Sequence, residues 1–118
     1  MSEIATEIES YLKRLFPITR SITGEGNRKS LNILQELAPI HIKEYPSGTS
    51  VYDWIIPEEW NVQDAWIQDD NGNKIVDFKN NNIHLVSYSE PVNKVISFEE
   101  LKEHLHFHDE LPNAIPYR

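Results

Sequence analysis

His104, His106 and His108 are the densest set of potential metal ligands in the chain, with Glu100, Glu103, Asp109 and Glu110 around them. Residues four apart share a helix face, so His104 and His108 could both reach one divalent cation while His106 points elsewhere. Leu101 and Leu105 mark the buried side of that helix, and the two histidines flank it only obliquely. The plainer reading is a solvated helix end with His108 near the negative pole of the dipole. A second candidate is the loop before Gly24-Glu25-Gly26, where Thr19, Arg20, Ser21 and Thr23 gather polar groups. A dinucleotide fingerprint would need a preceding strand and a third glycine, and position 29 is Lys29. A Walker motif would need Gly-Lys-Ser/Thr, and Gly26 leads into Asn27-Arg28-Lys29-Ser30. A turn opening a helix, capped by Thr23 or Asn27, is the structural expectation. A functional loop is the sharper one.

Other chemistry is thinner. Asp53, Asp64 and Asp77 sit singly in strand-like segments and are expected to face outward rather than pair as acid and base. No Gly-x-Ser-x-Gly elbow is present. Trp54, Trp60 and Trp66 are expected to pack a β unit, with a stacking platform for sugars or bases as the alternative.

The elements that must position these groups follow from periodicity. Ile4, Ile8, Tyr11, Leu12, Leu15 and Phe16 form one helical stripe, with Ser2 as cap and Pro17 as stop, and the stripe is expected to be core. Leu31, Leu34, Leu37 and Ala38 line a second helix that ends at Pro39. Strand-like segments follow at 40–43, 51–56, 62–68, 74–78 and 83–88, and Asn71-Gly72 signals a hairpin between the third and fourth. A last helix opens at Ser97, with Glu100 completing a capping box, and a proline-punctuated tail ends the chain. The fold class is therefore α+β: two helices, then a compact antiparallel β unit of about five strands and one helix.

Composition sets the bounds. The 118 residues make at most one ordinary domain, and three Trp, five Tyr and four Phe are too many large apolar groups for a disordered chain. Eleven basic against nineteen acidic residues give −8, the wrong sign for a nucleic-acid partner. The absence of cysteine excludes disulfides and thiolate-bound metal. No apolar run approaches the roughly 20 residues of a membrane span, so no membrane partner is expected. The acidic start is no secretory signal, and a cytoplasmic location is the expectation.

An ordered motif series runs through nearly the whole chain. It comprises 16–26 (FPITRSITGEG), Pro46-Ser47-Gly48-Thr49, 51–61 (VYDWIIPEEWN), 75–78 (IVDF), 82–92 (NIHLVSYSEPV) and 113–118 (NAIPYR). This series resembles the N-terminal part of a bacterial and archaeal aminopeptidase-like family, catalogued as a domain of unknown function. Members look like zinc exopeptidases with a small inserted β domain, some of them among polysaccharide-biosynthesis proteins. The resemblance implies that 1–38 is the N-terminal helical segment of a peptidase-like domain and 39–118 the inserted β-rich domain. It implies zinc in the full-length family protein but no catalytic or metal-ligating residue in this chain, because the family's ligands lie downstream. Arg20, Thr23 and Gly24 match the family's leading loop and are the candidates for substrate binding. The partner implied is a catalytic domain of the same polypeptide, and self-association is compatible with it. If the first helix normally packs on that domain, Ile8, Leu12 and Phe16 should be exposed here. The alternative is a stand-alone β-rich binding module for a peptide, saccharide or protein partner.

Overall fold

The structure is a computed structural model that describes residues 2–116. The motif residues Tyr117 and Arg118 lie outside the described residues. The chain divides into two compact units, Met1–Gln63 and Asp64–Arg118, and the expected junction at 38/39 falls inside the first.

Helix α1 spans Glu3–Leu15. It starts where expected, because the Ser2 hydroxyl accepts from the Ala5 N–H at 3.3 Å. Glu3 in the first turn and Lys13 and Arg14 in the last oppose the helix dipole, and Pro17 prevents continuation. Helix α2 spans Glu25–Leu34. Charge ties α1 to the segment just past α2: Arg14 grips Glu36 through two hydrogen bonds of 2.6 Å, and the Tyr11 hydroxyl donates to the same carboxylate at 3.4 Å. Arg14 also lies over the Tyr11 ring, 5.2 Å from its centroid.

The first unit ends in a small hairpin, β1 (Ser50–Val51) with β2 (Trp54–Ile55), paired antiparallel as Ser50 with Ile55 and Val51 with Trp54. Residues 51–56 are thus two strands and a turn rather than one strand. Tyr52 stands at the position of positive φ, where glycine or asparagine would signal a two-residue hairpin turn, and so leaves no such signal. Segment 40–43, expected as a strand, has no ladder partner among the described residues, and alternation alone cannot make one.

In the second unit β3 (Trp66–Gln68) pairs antiparallel with β4 (Lys74–Asp77) across the expected Asn71-Gly72 turn, with a register irregularity between Ile67 and Gln68. Asp69 closes the turn by accepting from the backbone N–H groups of Asn71 and Asn73 at 2.9 and 2.8 Å. Gly72 supplies the left-handed conformation the loop requires, φ +83°. The segment expected as a fifth strand instead begins with a 3₁₀ turn, Asn82–His84, because Asn81 Oδ1 captures the Ile83 N–H at 3.2 Å. A short polar side chain has outcompeted the ladder. Helix α3 is only Phe98–Lys102, capped by Ser97 from the Glu100 N–H at 3.2 Å. The Glu100 carboxylate turns away to Lys94 at 2.5 Å rather than closing a capping box.

The α+β class stands, but among the described residues the strands are four short ones in two separate two-stranded sheets. The expected core does not exist: among the described residues no apolar side chain is buried. The surface of 10313 Å² exceeds the roughly 8,000 Å² expected of two separate folded units of half its mass. On α1, Ile4, Ile8, Leu12 and Phe16 are 55–76% exposed, so a stripe with the period of a core face meets solvent. Leu12, Leu15, Phe16 and Pro17, with Lys13 and Arg20, line an open hollow at the end of that helix.

An unpaired stripe of this kind should bind a hydrophobic dye and promote association at micromolar concentration. Substituting Ile8→Lys and Leu12→Lys together should lower both signals several-fold while far-UV circular dichroism keeps its helical intensity. Absence of dye binding by the unmodified chain would contradict the exposed stripe.

Candidate functional site

The loop that carries Arg20, Thr23 and Gly24 is held against the backbone of residues 58–61. Gly24 is buried and adopts φ +154°, ψ 175°, a region essentially reserved for glycine. A Cβ there would lie 2.8 Å from the Trp60 carbonyl oxygen and 3.0 Å from both Asn61 Oδ1 and Ser21 Oγ. Gly26, in the first turn of α2, sits so close to Thr19 that a Cβ would overlap the Thr19 carbonyl oxygen. Both glycines therefore serve close backbone approach, which explains their spacing without a phosphate.

Hydrogen bonds fasten the same contact from both sides. Thr23 donates its hydroxyl to the Glu58 carbonyl at 3.1 Å, and the Trp60 N–H donates to the Thr23 carbonyl at 3.2 Å. The Ser21 hydroxyl lies 2.6 Å from the Thr23 carbonyl and 3.1 Å from that of Trp60. Neither Thr23 nor Asn27 caps α2, contrary to expectation. Gly24 occupies the N-cap position, and the missing acceptor comes from Asn61, whose Oδ1 takes the Glu25 N–H at 2.8 Å. Asn27 instead donates to the Ser21 and Ile22 carbonyls at 2.8 and 3.1 Å.

Two arginines brace the arrangement. Arg20 donates through Nη1 to the Leu15 carbonyl at 2.9 Å and to the buried Ser30 hydroxyl at 3.3 Å. The Ser30 hydroxyl in turn donates to the Gly26 carbonyl at 2.8 Å. Arg28 gathers three carboxylates: Glu59, Glu44 at 2.7 Å and Glu25 at 3.4 Å. Its guanidinium holds the Glu59 carboxyl below the ordinary glutamate range, chiefly through their hydrogen bonds. Arg28, Ser30, Glu59 and Asn61 were not singled out by sequence reasoning, although Glu59 and Asn61 lie within the motif series.

The remaining candidates separate. Helix α3 stops at Lys102, so His104 and His108 share no helical face. Among the described residues no group of three or more His, Cys, Asp or Glu side chains is gathered so that it could hold a metal ion. Asp64 lies before β3 and pairs with Lys79 at 2.6 Å, which lowers its carboxyl below the usual range. Asp77 is mostly covered rather than outward-facing, and accepts from the Lys79 N–H at 3.0 Å and from Lys74 at 3.1 Å. Trp54 and Trp66 are about half exposed instead of packing a β unit, and Trp60 is half-buried.

Gly24→Ala should destabilise the first unit by about 1–3 kcal/mol from backbone strain alone, and Gly26→Ala by at least as much from overlap. Urea unfolding of the variants measures both; midpoints equal to that of the unmodified chain would refute the close approach. The acid limb follows from Glu59. Its folded pKa is depressed, so its contribution is present above the unfolded value and disappears as pH falls through the folded one. Stability against urea should decline on acidification through this range, and Glu59→Gln should flatten that decline.

The chain is 47% identical over 116 residues to a Clostridium acetobutylicum protein provisionally named as a polysaccharide biosynthesis protein with an aminopeptidase-like domain. The match takes in 98% of this chain and 27% of that protein. A crystal structure from the same species, provisionally described as a peptidase, superposes with a TM-score of 0.86 at 46% identity, over 92% of this chain and 26% of that one. This chain thus spans about a quarter of the length of these relatives. The profile of the family described as "Domain of unknown function (DUF2172)" matches residues 59–118, from Glu59 of the Arg28 cluster through both β3 and β4. By that match, over half of its length, the chain belongs to the DUF2172 family.

Proposed function

We propose that this chain is the N-terminal portion of a cytoplasmic aminopeptidase-like zinc hydrolase and serves as the part on which the catalytic domain docks. The observation that carries this reading is the 47% identity, across nearly the whole chain, to a protein about four times as long whose name includes an aminopeptidase-like domain. The exposed stripe of α1 supports it physically. Four large apolar residues at positions 4, 8, 12 and 16 are unburied, and burying each would return roughly 1.5–3 kcal/mol. In this reading zinc is held by the rest of the polypeptide, and no step of hydrolysis is performed by the described residues.

The loop contributes position. Arg20 lines the same hollow as Leu12 and Phe16, so a domain seated on α1 would also meet the Arg20 loop. Arg20 uses Nη1 internally, and its Nε and Nη2 donors suit a carboxylate of a docked segment or a peptide substrate. Thr23 and Gly24 hold the loop in that place.

A chimera tests the proposal: this chain replaces the matching segment of the Clostridium acetobutylicum relative. The chimera should hydrolyse amino-acid arylamides in a zinc-dependent manner, and the 118-residue chain alone should not. Leu12→Glu with Phe16→Glu should lower the chimera's activity at least tenfold. The reading fails if the relative itself cleaves no arylamide or peptide, or if deleting the whole segment leaves its activity unchanged.

A further inference from the structure

The tip of the β3–β4 hairpin carries a reactive pair of residues. Asn71-Gly72 is the only Asn-Gly step in the chain. The Gly72 nitrogen and the Asn71 side-chain carbonyl carbon are linked through Asn71 itself, so covalent connectivity keeps nucleophile and electrophile within reach. At every other asparagine the following nitrogen belongs to a residue whose side chain shields it. Asn71 and Gly72 are both exposed, and a Cβ at Gly72 would meet nothing within 4 Å among the described residues. A closing ring and attacking water therefore find open space. Restraint comes from the turn. The Gly72 N–H donates to the Asp69 carbonyl at 3.0 Å, which engages the proton that the nitrogen must lose in order to attack. The Asp69 carboxylate accepts from the N–H groups of Asn71 and Asn73 at 2.9 and 2.8 Å and from the Asn73 side-chain amide at 3.0 Å. The Asn71 side chain bonds the same carboxylate. One aspartate thus clasps the whole turn. The hairpin beneath it has only two strands and is marginal alone in water, so the turn opens locally and releases the Gly72 nitrogen.

We infer that Asn71 is a site of spontaneous deamidation and isoaspartate formation, and that the Asp69 clasp sets its rate. In the opened turn the Gly72 nitrogen bonds to Asn71 Cγ and gives up its proton. The bond from Cγ to Nδ2 breaks, and that nitrogen leaves with the proton as ammonia. The product is a cyclic imide, and one water molecule opens it. Cleavage between Cγ and the Gly72 nitrogen gives aspartate. Cleavage between that nitrogen and the Asn71 main-chain carbonyl carbon gives isoaspartate, whose main chain runs through the former side chain. Nothing besides water is consumed. Either product adds a carboxylate beside Asp69 and Asp70, in a loop, 69–73, that contains no lysine or arginine. The isoaspartyl product also lengthens the main chain between Gln68 and Lys74, which pair across this loop. Deamidation therefore loosens the β3–β4 hairpin in one direction.

Peptide mapping by mass spectrometry tests this independently of the hydrolase reading. The 118-residue chain is incubated in mildly alkaline buffer and sampled over days. Electron-transfer fragmentation distinguishes aspartyl from isoaspartyl products. Conversion should concentrate at Asn71, contain both products and run at least fivefold faster than at Asn93 or Asn113. A free peptide covering residues 67–75 should convert several-fold faster than the folded chain, because it lacks the clasped turn. Asp69→Ala should bring the chain toward the peptide's rate, and Asp69→Asn, which keeps one acceptor oxygen, should fall between. Conversion at Asn71 no faster than at Asn93 and Asn113 would overturn the inference. So would a folded chain that reacts as fast as the peptide, or an Asp69→Ala variant that reacts no faster than the unmodified chain.

Discussion

Everything in the first unit depends on how closely the loop before α2 approaches the backbone of residues 58–61. Two backbones can meet at that distance only where a side chain is missing: Gly24 admits the Trp60 carbonyl, and Gly26 lets Thr19 of the same loop close on the start of α2. Once they are in contact, Thr23, Ser21 and Asn61 satisfy the polar groups that the contact would otherwise strand. The N-terminus of α2 is then capped by a residue 36 positions away from Glu25, so a local element is completed by a long-range one. Arg28 adds charge to the same junction through Glu59, and couples it to protonation.

Polar fastening matters here because hydrophobic burial is scarce. Two hairpins of two to four residues per strand cannot enclose a core, and a two-stranded hairpin is marginal alone in water. Hydrogen-bonded turns such as that of Asp69 and ion pairs such as Arg14–Glu36 fix local geometry, while many large apolar side chains stay exposed and others are only half-buried. Exposed ion pairs stabilise little by themselves. The chain therefore holds shape locally and offers its apolar surface outward, on α1 and at the β1–β2 tip.

Legibility in the sequence followed the range of the forces involved. The start of α1, the cap of α3 and the Asn71-Gly72 hairpin were readable, because each is decided within a few residues by side-chain oxygens or a glycine. Segments 40–43 and 83–88 misled, because alternation describes a surface and not a partner. At Asn81 a local side-chain hydrogen bond redirected the chain into a 3₁₀ turn. The histidine pairing failed for a related reason: spacing of four means a shared face only while the helix lasts, and α3 ends at Lys102. The stripe on α1 was read correctly as apolar and helical, but whether it is buried depends on what lies against it.

By itself the sequence determined the α+β class, the acidic balance, the periodic face of α1 and the ordered motifs that place the chain in its family. These are properties of residue type and spacing, which propensity and periodicity express directly. Only the tertiary structure decided that Gly24 and Gly26 pack against Trp60 and Thr19, that Asn61 caps α2, and that Tyr52 stands strained and exposed at a hairpin tip. Those outcomes depend on which backbone segments meet in space, and a contact between residues 24 and 60 leaves no periodic trace in either segment.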